Sequence, residues 1–518
     1  MYLTQGLHRA VQQIPDQQAV IYGDRTRTFA ELAGRVARLA GALRALGVGP
    51  GDRVAMLSLN SDRYIEYLFA VPWAGAVLNP VNIRWNPVEI AYSLQDSGTE
   101  LLLVDDRFAP VVPALRDKCP GLRTVIHSGD APAPAGTLDY EALLAENEPV
   151  EDAIRGGDDL AGIFYTGGTT GFPKGVMLTH ANLLTSALGW LASGEFLTRG
   201  GRFLHAAPMF HLADLAAWTG QTVAGGTHVV IPMFEPGAVL KAIEAHRVTD
   251  ALLVPTMIQL LVDNPAIASH DLSSLRRLFY GASSISAAVL KRAMKALPGV
   301  RFTQAYGMTE LSPVATLLAH EDHQLEGPLS VRLRSGGRAA PHADVRIVDI
   351  DGNELPRGTV GEIVVRGAHV TPGYWNKPEE SAAALRDGWM HTGDGGRMDE
   401  HGYVYIVDRI KDMIVTGGEN VYSTEVENAV AQHPAVQSVA VIGLPDTQWG
   451  ERVHAVVVLR PGAEATADDI REHTKSLIAG YKAPRTVDFV DALPITGAGK
   501  VLKRELRRKY AEGDAPAG

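Results

Sequence analysis

The chain has 518 residues, of which 46% are hydrophobic and 21% are charged, as in ordinary globular proteins. This length exceeds what one hydrophobic core supports, so we expect two or more domains. The net charge of −11 argues against a nucleic-acid-binding surface. No apolar run approaches the roughly 20 residues of a transmembrane helix.

The cellular compartment is indicated by cysteine usage and by the first residues. Cys119 is the single cysteine, which excludes an intramolecular disulfide and fits a reducing environment. Residues 1–20 lack a basic start followed by an apolar run, so no signal peptide is expected. We therefore expect a cytoplasmic monomer or homodimer. The basic residues of the last predicted helix leave open an anionic partner, a weak contact with a membrane surface, or a solvated helix end; they are Lys503, Arg504, Arg507, Arg508 and Lys509.

The first half of the chain alternates predicted strands and helices. Residues 29–46 have helical apolar spacing, with Thr28 as a plausible N-cap. Strands at 53–57 and 101–104 flank a helix at 64–76. Such alternation is typical of βαβ units, so we expect an α/β fold with largely parallel sheets.

Further along, the sequence pattern changes twice. Between about 336 and 407 short strands and turns predict a small β-barrel-like subdomain. We place a boundary after Asp408, which gives an N-terminal domain of 1–408 and a small α+β C-terminal domain of 409–518. The second domain has its own predicted helix at 423–432.

The segment Tyr165–Gly175, with the sequence YTGGTTGFPKG, predicts a polyphosphate-binding loop. Its glycines let backbone N–H groups approach an anion, its threonines offer hydroxyl donors, and Lys174 adds positive charge. A strand before it and a predicted helix at 177–188 after it favour this interpretation over a flexible surface loop. Because Gly175 follows Lys174, the segment is not a Walker A motif.

Three further motifs carry candidate chemistry. In residues 304–310, QAYGMTE, Tyr306 can lie against a purine and Glu310 can hold Mg²⁺. In residues 389–394, WMHTGD, Asp394 can accept ribose hydroxyls or cap a turn. In residues 494–500, PITGAGK, Lys500 can enter an active site or remain a solvated surface lysine.

In this order the four segments resemble the adenylate-forming, or AMP-binding, superfamily, and in particular its acyl-CoA synthetases, over residues 28–508. The resemblance implies that the glycine-rich loop shields the ATP β- and γ-phosphates through Thr166, Gly167, Gly168, Thr169, Thr170, Gly171 and Lys174. It assigns to the nucleotide base and its surroundings Gly281, Ala282, Ser283, Gln304, Ala305, Tyr306 and Gly307.

The resemblance also implies catalytic roles. Thr309 would contact the α-phosphate, Glu310 would ligate Mg²⁺, and Asp394 with Arg409 would bind the ribose. Lys500 would bridge the carboxylate and the α-phosphate during adenylation. Rotation of the C-terminal domain about the hinge residue Lys411 would then bring Gly418 beside a pantetheine tunnel.

We thus expect an acyl-CoA ligase that uses ATP, Mg²⁺ and CoA to convert a medium- or long-chain fatty, branched or aryl acid into its CoA thioester. The resemblance places His211 at the carboxylate end of the acyl pocket, which argues against an amino-acid substrate. Small residues there, with the unexplained Asp214, leave the acid open. The acyl-pocket candidates are His211, Ala213, Asp214 and Ala217; the alternative for Asp214 is a helix-capping or surface residue.

Two other functions remain as alternatives. An adenylating enzyme can deliver its acyl group to the phosphopantetheine of a carrier protein instead of CoA. A non-catalytic nucleotide-binding relative would be expected to lack Lys500 or Glu310, and both are present.

Overall fold

The structure is a computed structural model that describes residues 1–166, 173–283, 285–409, 412–416, 419–495 and 501–512. For Arg409, Asn420, Ala511 and Glu512 the backbone alone is described. The expected α/β class is confirmed, since helices and mixed sheets alternate along most of the chain.

The α-helices of the described residues are numbered in chain order. They are α1 (Gln5–Gln13), α2 (Phe29–Ala45), α3 (Asp62–Ala74), α4 (Pro87–Ser97), α5 (Val112–Lys118), α6 (Tyr140–Glu146), α7 (His180–Ala192), α8 (Leu212–Ala224), α9 (Pro236–His246), α10 (Pro255–Val262), α11 (Ala287–Ala296), α12 (Pro378–Ala384), α13 (Ser423–Val430), α14 (Ala467–Leu477) and α15 (Lys503–Glu512).

The strands are numbered in the same way. Those up to residue 318 are β1 (Gln18–Tyr22), β2 (Arg25–Thr28), β3 (Arg53–Leu57), β4 (Val77–Pro80), β5 (Leu101–Val104), β6 (Thr124–His127), β7 (Leu138–Asp139), β8 (Leu160–Thr166), β9 (Lys174–Thr179), β10 (Arg202–His205), β11 (Thr227–Val230), β12 (Asp250–Leu252), β13 (Arg277–Gly281), β14 (Arg301–Tyr306) and β15 (Thr316–Leu318). They are followed by β16 (Arg338–Ala339), β17 (Asp344–Val348), β18 (Gly361–Arg366), β19 (Gly373–Tyr374), β20 (Leu385–Arg386), β21 (Trp389–Met398), β22 (Val404–Arg409), β23 (Ile414–Thr416), β24 (Glu419–Val421), β25 (Val436–Asp446), β26 (Gly450–Leu459) and β27 (Thr486–Phe489).

Two large sheets carry most of the first 340 residues. One has the strand order β16-β15-β14-β13-β12-β10-β11-β1-β2, and the other has β19-β9-β8-β4-β3-β5-β6-β7. Pairing is parallel from β14 through to β1 in the first sheet and from β8 to β7 in the second. Antiparallel strands lie at the edges, so the predicted parallel core is confirmed.

Helix α2 shows why the local sequence folds as predicted. The Thr28 side chain accepts from the backbone of Glu31, whose own carboxylate accepts from the Thr28 N–H, which forms a capping box. Buried Leu32, Val36 and Leu43 lie on the inner side of the helix. Their spacings of four and seven residues place them on one face, which packs into the core.

Helix α3 is buried at every residue and therefore must satisfy its charged groups internally. The side chain of Glu66 is 1% exposed and accepts from Arg35 Nε and from the Tyr140 hydroxyl, at 2.5 and 2.6 Å. These bonds replace the water that a carboxylate would otherwise bind. The Glu66 network thus joins α2, α3 and α6.

Two smaller sheets follow. The first has the order β17-β18-β21-β20, with β22 also on β21, and occupies the predicted β-barrel-like region. The second has the order β24-β23-β26-β25, with β27 parallel to β26, and is packed by α13 and α15. Its apolar core includes Val426, Val441, Val457 and Ile470.

The chain divides into two compact units. The first unit comprises residues 1–345 and 365–390, and the second comprises 346–364 and 391–518. Strands β17, β18 and β21 each contribute residues to both units. A domain boundary after residue 408 stays a prediction. Among the described residues, no helix combines the length and the apolar character needed to cross a bilayer.

We predict that Glu66→Ala destabilises the first unit. Removing the carboxylate leaves part of the Arg35 charge and the Tyr140 hydroxyl buried without this partner, at a cost of about 3 kcal/mol. The melting temperature should fall by several degrees. Glu100→Ala is the matched control, because the Glu100 side chain is exposed and its carboxylate lies 3.4 Å from Arg123 Nε. Equal melting temperatures for the two variants would contradict a stabilising role for the Glu66 network.

Candidate nucleotide and acyl site

The glycine-rich segment lies between two strands, so the predicted start of the next helix at residue 177 is wrong, whereas its residues 180–188 are helical as predicted. β8 and β9 pair antiparallel, with Thr166 opposite Lys174. Helix α7 begins only at His180, where Thr179 and Asn182 form a capping box. Thr166 and Lys174 therefore lie side by side at the end of a hairpin. The candidates Gly167, Gly168, Thr169, Thr170 and Gly171 lie outside the described residues.

Tyr374, which sequence reasoning missed, contacts two predicted site residues. The Lys174 ammonium lies 5.1 Å from the centre of the Tyr374 ring, within the range of a cation–π contact. The Tyr374 hydroxyl donates to Glu310 Oε1 at 2.8 Å. Pairing of β19 with β9 sets this position, because Tyr374 lies opposite Val176. One phenol thus holds a cation and a carboxylate that are far apart in sequence.

The predicted nucleotide residues meet at the carboxyl ends of two parallel strands. Gly281 ends β13 and lies opposite Ala305 in β14. A Cβ on Gly281 would lie 2.3 Å from the Ala305 carbonyl oxygen, so only glycine fits there. Gln304 and Tyr306 belong to the same strand end. Carboxyl ends of parallel strands are where open α/β sheets bind ligands.

The residues next to these strand ends are tightly constrained as well. Ala282 has a φ of 64°, a left-handed conformation that is unusual for alanine; Ser283 follows it. A Cβ on Gly307 would lie 1.9 Å from the Pro313 carbonyl oxygen. Thr309 and Glu310 then form a single 3₁₀ turn, and Glu310 is 6% exposed. Both side chains thus follow the close backbone contact at Gly307, directly after β14.

A buried hydrogen-bond network lies behind Gln304. His323 Nδ1 donates to the Ala319 carbonyl oxygen, so Nε2 of the neutral ring accepts from the Tyr280 hydroxyl at 2.9 Å. The Tyr280 hydroxyl also lies 3.3 Å from Gln304 Oε1. Burial lowers the pKa of His323 to about 4, so this ring stays neutral at physiological pH.

Asp214 is buried, so the alternative of a surface residue is wrong. It lies in the first turn of α8 and is 1% exposed. Its Oδ2 lies 2.7 Å from His205 Nδ1, and His205 Nε2 lies 2.9 Å from His228 Nδ1. Asp214 thus belongs to a buried polar chain with His205 and His228. This chain meets α8 in its first turn, directly after its N-cap residue His211. Whether it contacts the acid stays a prediction.

The residues that precede His211 are held by hydrogen bonds to Asn60. Asn60 donates to the carbonyl oxygen of Ala207 and accepts from the backbone N–H of Met209, both at 2.8 Å. His211 follows as the N-cap residue of α8. The position of His211 is therefore set by α8 and by Asn60 from a neighbouring element.

The small residues of the predicted acyl pocket adjoin aromatic rings. Ala213 and Ala217 belong to one apolar cluster with Trp190, Phe196 and Phe279. The rings of Trp190 and Phe196 stack with their centroids 3.9 Å apart. The two alanines therefore belong to an apolar, aromatic part of the core.

The second unit carries Asp394, which lies in the middle of strand β21 next to a bend. Gly393 has a φ of 69°, and the Asp394 N–H donates to Thr392 Oγ1 at 3.1 Å. Asp394 lies opposite Arg409 in β22. The two residues predicted to bind ribose are therefore paired across adjacent antiparallel strands. Lys411, Gly418 and Lys500 lie outside the described residues.

Glu310 is the described residue predicted to hold Mg²⁺. Within the described ranges, no three His, Cys, Asp or Glu side chains are grouped as a metal site. A single buried carboxylate fits Mg²⁺, which is commonly bound by one or two protein carboxylates together with substrate phosphates and water.

Comparison with known proteins identifies two family domains. The AMP-binding enzyme profile matches residues 7–375, and the AMP-binding enzyme C-terminal domain profile matches residues 425–500. A feruloyl-CoA synthase from an Amycolatopsis species is 43% identical over 97% of this chain and 98% of its own. A medium/long-chain-fatty-acid–CoA ligase from Mycobacterium tuberculosis is 38% identical over 97% of this chain and 89% of its own.

A solved structure matches at full length. The ATP-bound MatB from Rhodopseudomonas palustris superposes with a TM-score of 0.89 at 32% identity, over 99% of this chain and 100% of that chain. The predicted architecture of a large N-terminal part and a small C-terminal part is therefore shared with an enzyme solved with ATP bound.

We predict that His323→Gln makes stability less sensitive to acid. Between pH 6.5 and 4 the unfolded histidine binds a proton that the folded one does not, so acidification destabilises the fold. Glutamine removes this contribution, which amounts to about 1.4 kcal/mol per pH unit in that range. Melting temperatures from pH 7.5 to 5 should therefore fall less for His323→Gln than for the wild type. The exposed His401→Gln should retain the wild-type slope; a shared slope for all three proteins would refute the prediction.

Proposed function

The chain belongs to the AMP-binding enzyme family and is an AMP-forming acyl-CoA ligase, and we propose that its substrate is an aryl acid of about cinnamate size. The assignment of the active centre depends on one observation. Tyr374 contacts Lys174 through its ring and Glu310 through its hydroxyl. A phosphate-binding cation and a magnesium-binding carboxylate are the two groups that a Mg·ATP polyphosphate requires.

In the first half-reaction the substrate carboxylate attacks the α-phosphorus of ATP. The bond from that phosphorus to the bridging oxygen breaks, and pyrophosphate leaves. Thr166 and Lys174 hold the β- and γ-phosphates, while Thr309 and Lys500 bind the α-phosphate. Mg²⁺, when bound at Glu310, neutralises phosphate charge. These residues act by positioning and by charge rather than by covalent catalysis.

We assign separate residues to the base and to the ribose of the nucleoside. The strand ends Gly281 and Ala305, with Tyr306, bind the base, and Asp394 with Arg409 binds the ribose hydroxyls. In the second half-reaction the CoA thiol attacks the acyl carbon, and the bond to the phosphate oxygen breaks with release of AMP. Rotation about Lys411 and contact of Gly418 with pantetheine belong to this step.

The aryl preference is supported by the acyl pocket and by one relative. Ala213 and Ala217 share an apolar cluster with Trp190 and Phe279, which favours a flat ring over a long flexible chain. The relative named a feruloyl-CoA synthase is 43% identical to this chain. His211 lies at the carboxylate end of this pocket, and buried Asp214 supports the segment beneath it.

The test is pyrophosphate release from Mg·ATP over a panel of acids, each with and without CoA. The panel contains ferulate, 4-coumarate, cinnamate, benzoate, octanoate and palmitate. Cinnamate-type acids should exceed the fatty acids about ten-fold or more in kcat/KM, with CoA needed for sustained turnover. A preference for palmitate would overturn the aryl assignment. Release that stalls near one equivalent despite CoA would indicate a carrier-protein acceptor, and no release with any acid would overturn the catalytic function.

The proposed setting is a reducing, cytoplasmic one, with a monomeric or homodimeric enzyme. Cys119 is the only cysteine in the sequence and its side chain is buried. Its burial raises the pKa of the thiol, which makes it an inert structural residue.

We predict that Tyr374→Phe weakens the binding of Mg²⁺ at Glu310. The ring contact with Lys174 remains, but the hydroxyl that orients the carboxylate is lost. The Mg²⁺ concentration for half-maximal pyrophosphate release should rise about ten-fold, as is typical when a group that supports a metal ligand is removed. Tyr481→Phe, at an exposed tyrosine of the second unit, is the control. An unchanged Mg²⁺ dependence would exclude this role.

A further inference from the structure

Two cations of helix α15 are paired within the second unit rather than solvated. Lys503 Nζ lies 2.8 Å from Glu427 Oε1 and also donates to the Ser423 hydroxyl. Arg507 donates to Asp412 at 2.7 Å. Lys503 and Arg507 are one helical turn apart, so both lie on one face of α15. The basic run at the end of the sequence is therefore partly a structural anchor.

The Lys503 contact continues to the strand that carries Arg409. Ser423 is fully buried, and its hydroxyl and its backbone N–H both donate to the Asp408 carboxylate. Because the single hydroxyl proton is given to Asp408, the Ser423 oxygen accepts from Lys503. A continuous polar chain thus runs from Asp408 through Ser423 to Lys503.

Glu427 completes the chain and makes it costly to break. Its Oε1 also accepts from the backbone N–H of Val441 at 2.8 Å. Burial raises the pKa of the Glu427 carboxyl, while the neighbouring Lys503 lowers it. A carboxylate withdrawn from water in this way depends on its cation for stability.

The contacts of α15 lie next to two segments that the proposed function uses, one containing Lys411 and the other ending at Lys500. Asp408 and Asp412 are on either side of Lys411 in sequence. Residues 496–500 join two fixed points, since Ile495 pairs with Val501 and the Leu502 N–H donates to the Pro494 carbonyl oxygen at 2.8 Å. Lys503 follows directly as the first residue of α15.

We propose that Lys503 and Arg507 are positioning residues that anchor α15 to Asp408 and Asp412, and so hold Lys500 in place for acyl-adenylate formation. The inference rests on the proposed function, in which Lys500 acts in the first half-reaction and not in thioester formation. Loss of the anchor should therefore affect the two half-reactions unequally. A purely structural role would reduce both together.

The experiment measures both half-reactions of the full-length enzyme. Lys503→Met should lower kcat for pyrophosphate release about 10- to 100-fold, the loss expected from a misplacement of about 1 Å. Thioester formation from supplied acyl-AMP and CoA should stay within about two-fold of wild type, because Lys500 is not used there. Lys503→Arg should recover most of the adenylation rate, because it keeps the charge and the hydrogen-bond donors.

Further variants keep the test decisive if Lys503→Met folds poorly. Ser423→Ala removes the link between Asp408 and Lys503 but leaves the ion pair with Glu427, so it should give a smaller loss confined to adenylation. Arg508→Met is the matched control, since it removes an exposed cation from the same helix. It should leave the adenylation rate unchanged.

Two results would overturn the inference. One is an equal loss of both half-reactions in Lys503→Met and Ser423→Ala; the other is no loss in either variant. Lys500→Ala is run in parallel to separate this inference from the proposed function. If Lys500→Ala retains adenylation, the role assigned to Lys500 is wrong. If Lys500→Ala loses adenylation while Lys503→Met and Ser423→Ala retain it, only the anchor is wrong.

Discussion

The close approach of two parallel strand ends is the constraint on which the candidate site depends. At the end of β13, Gly281 packs against the Ala305 carbonyl oxygen, where no side chain fits. Directly after β14, Gly307 packs in the same way against the Pro313 carbonyl oxygen. Neither contact leaves room for a side chain, and Thr309 and Glu310 follow the second contact in a 3₁₀ turn beyond β14. The positions of these two residues therefore depend on the close backbone contacts at Gly281 and Gly307.

Tyr374 extends this constraint to a second part of the sheet system. Its ring face meets the Lys174 ammonium, and its hydroxyl meets the Glu310 carboxylate. The pairing of β19 with β9 fixes the position of Tyr374 relative to Lys174, the first residue of β9. A displacement of either strand would move a cation and a carboxylate at once. The phenol thus couples the position of Lys174 to that of the carboxylate predicted to bind Mg²⁺.

The sequence was sufficient where the signals are local or carried by short motifs. The Thr28 cap, the strands at 53–57 and 101–104 and the order of the four motifs were all readable before the structure. The strand β9 was missed because it has only six residues. In so short a run the apolar positions fit the period of a helix as well as that of a strand, so the pattern does not distinguish the two. Contacts such as Tyr374 with Glu310 join residues 64 positions apart. No local pattern encodes them, because tertiary packing decides which polar groups meet.

The anchor of α15 shows why an ionic contact suits this position better than an apolar one. Apolar packing is non-directional and tolerates sliding or rotation of a helix, whereas hydrogen-bonded ion pairs fix a register. Lys503 and Arg507 are four residues apart, and so are Asp408 and Asp412. Two contacts at this spacing determine both the axial position and the rotation of α15. Since α15 begins three residues after Lys500, an error in either coordinate would be passed directly to the lysine that the adenylation step requires.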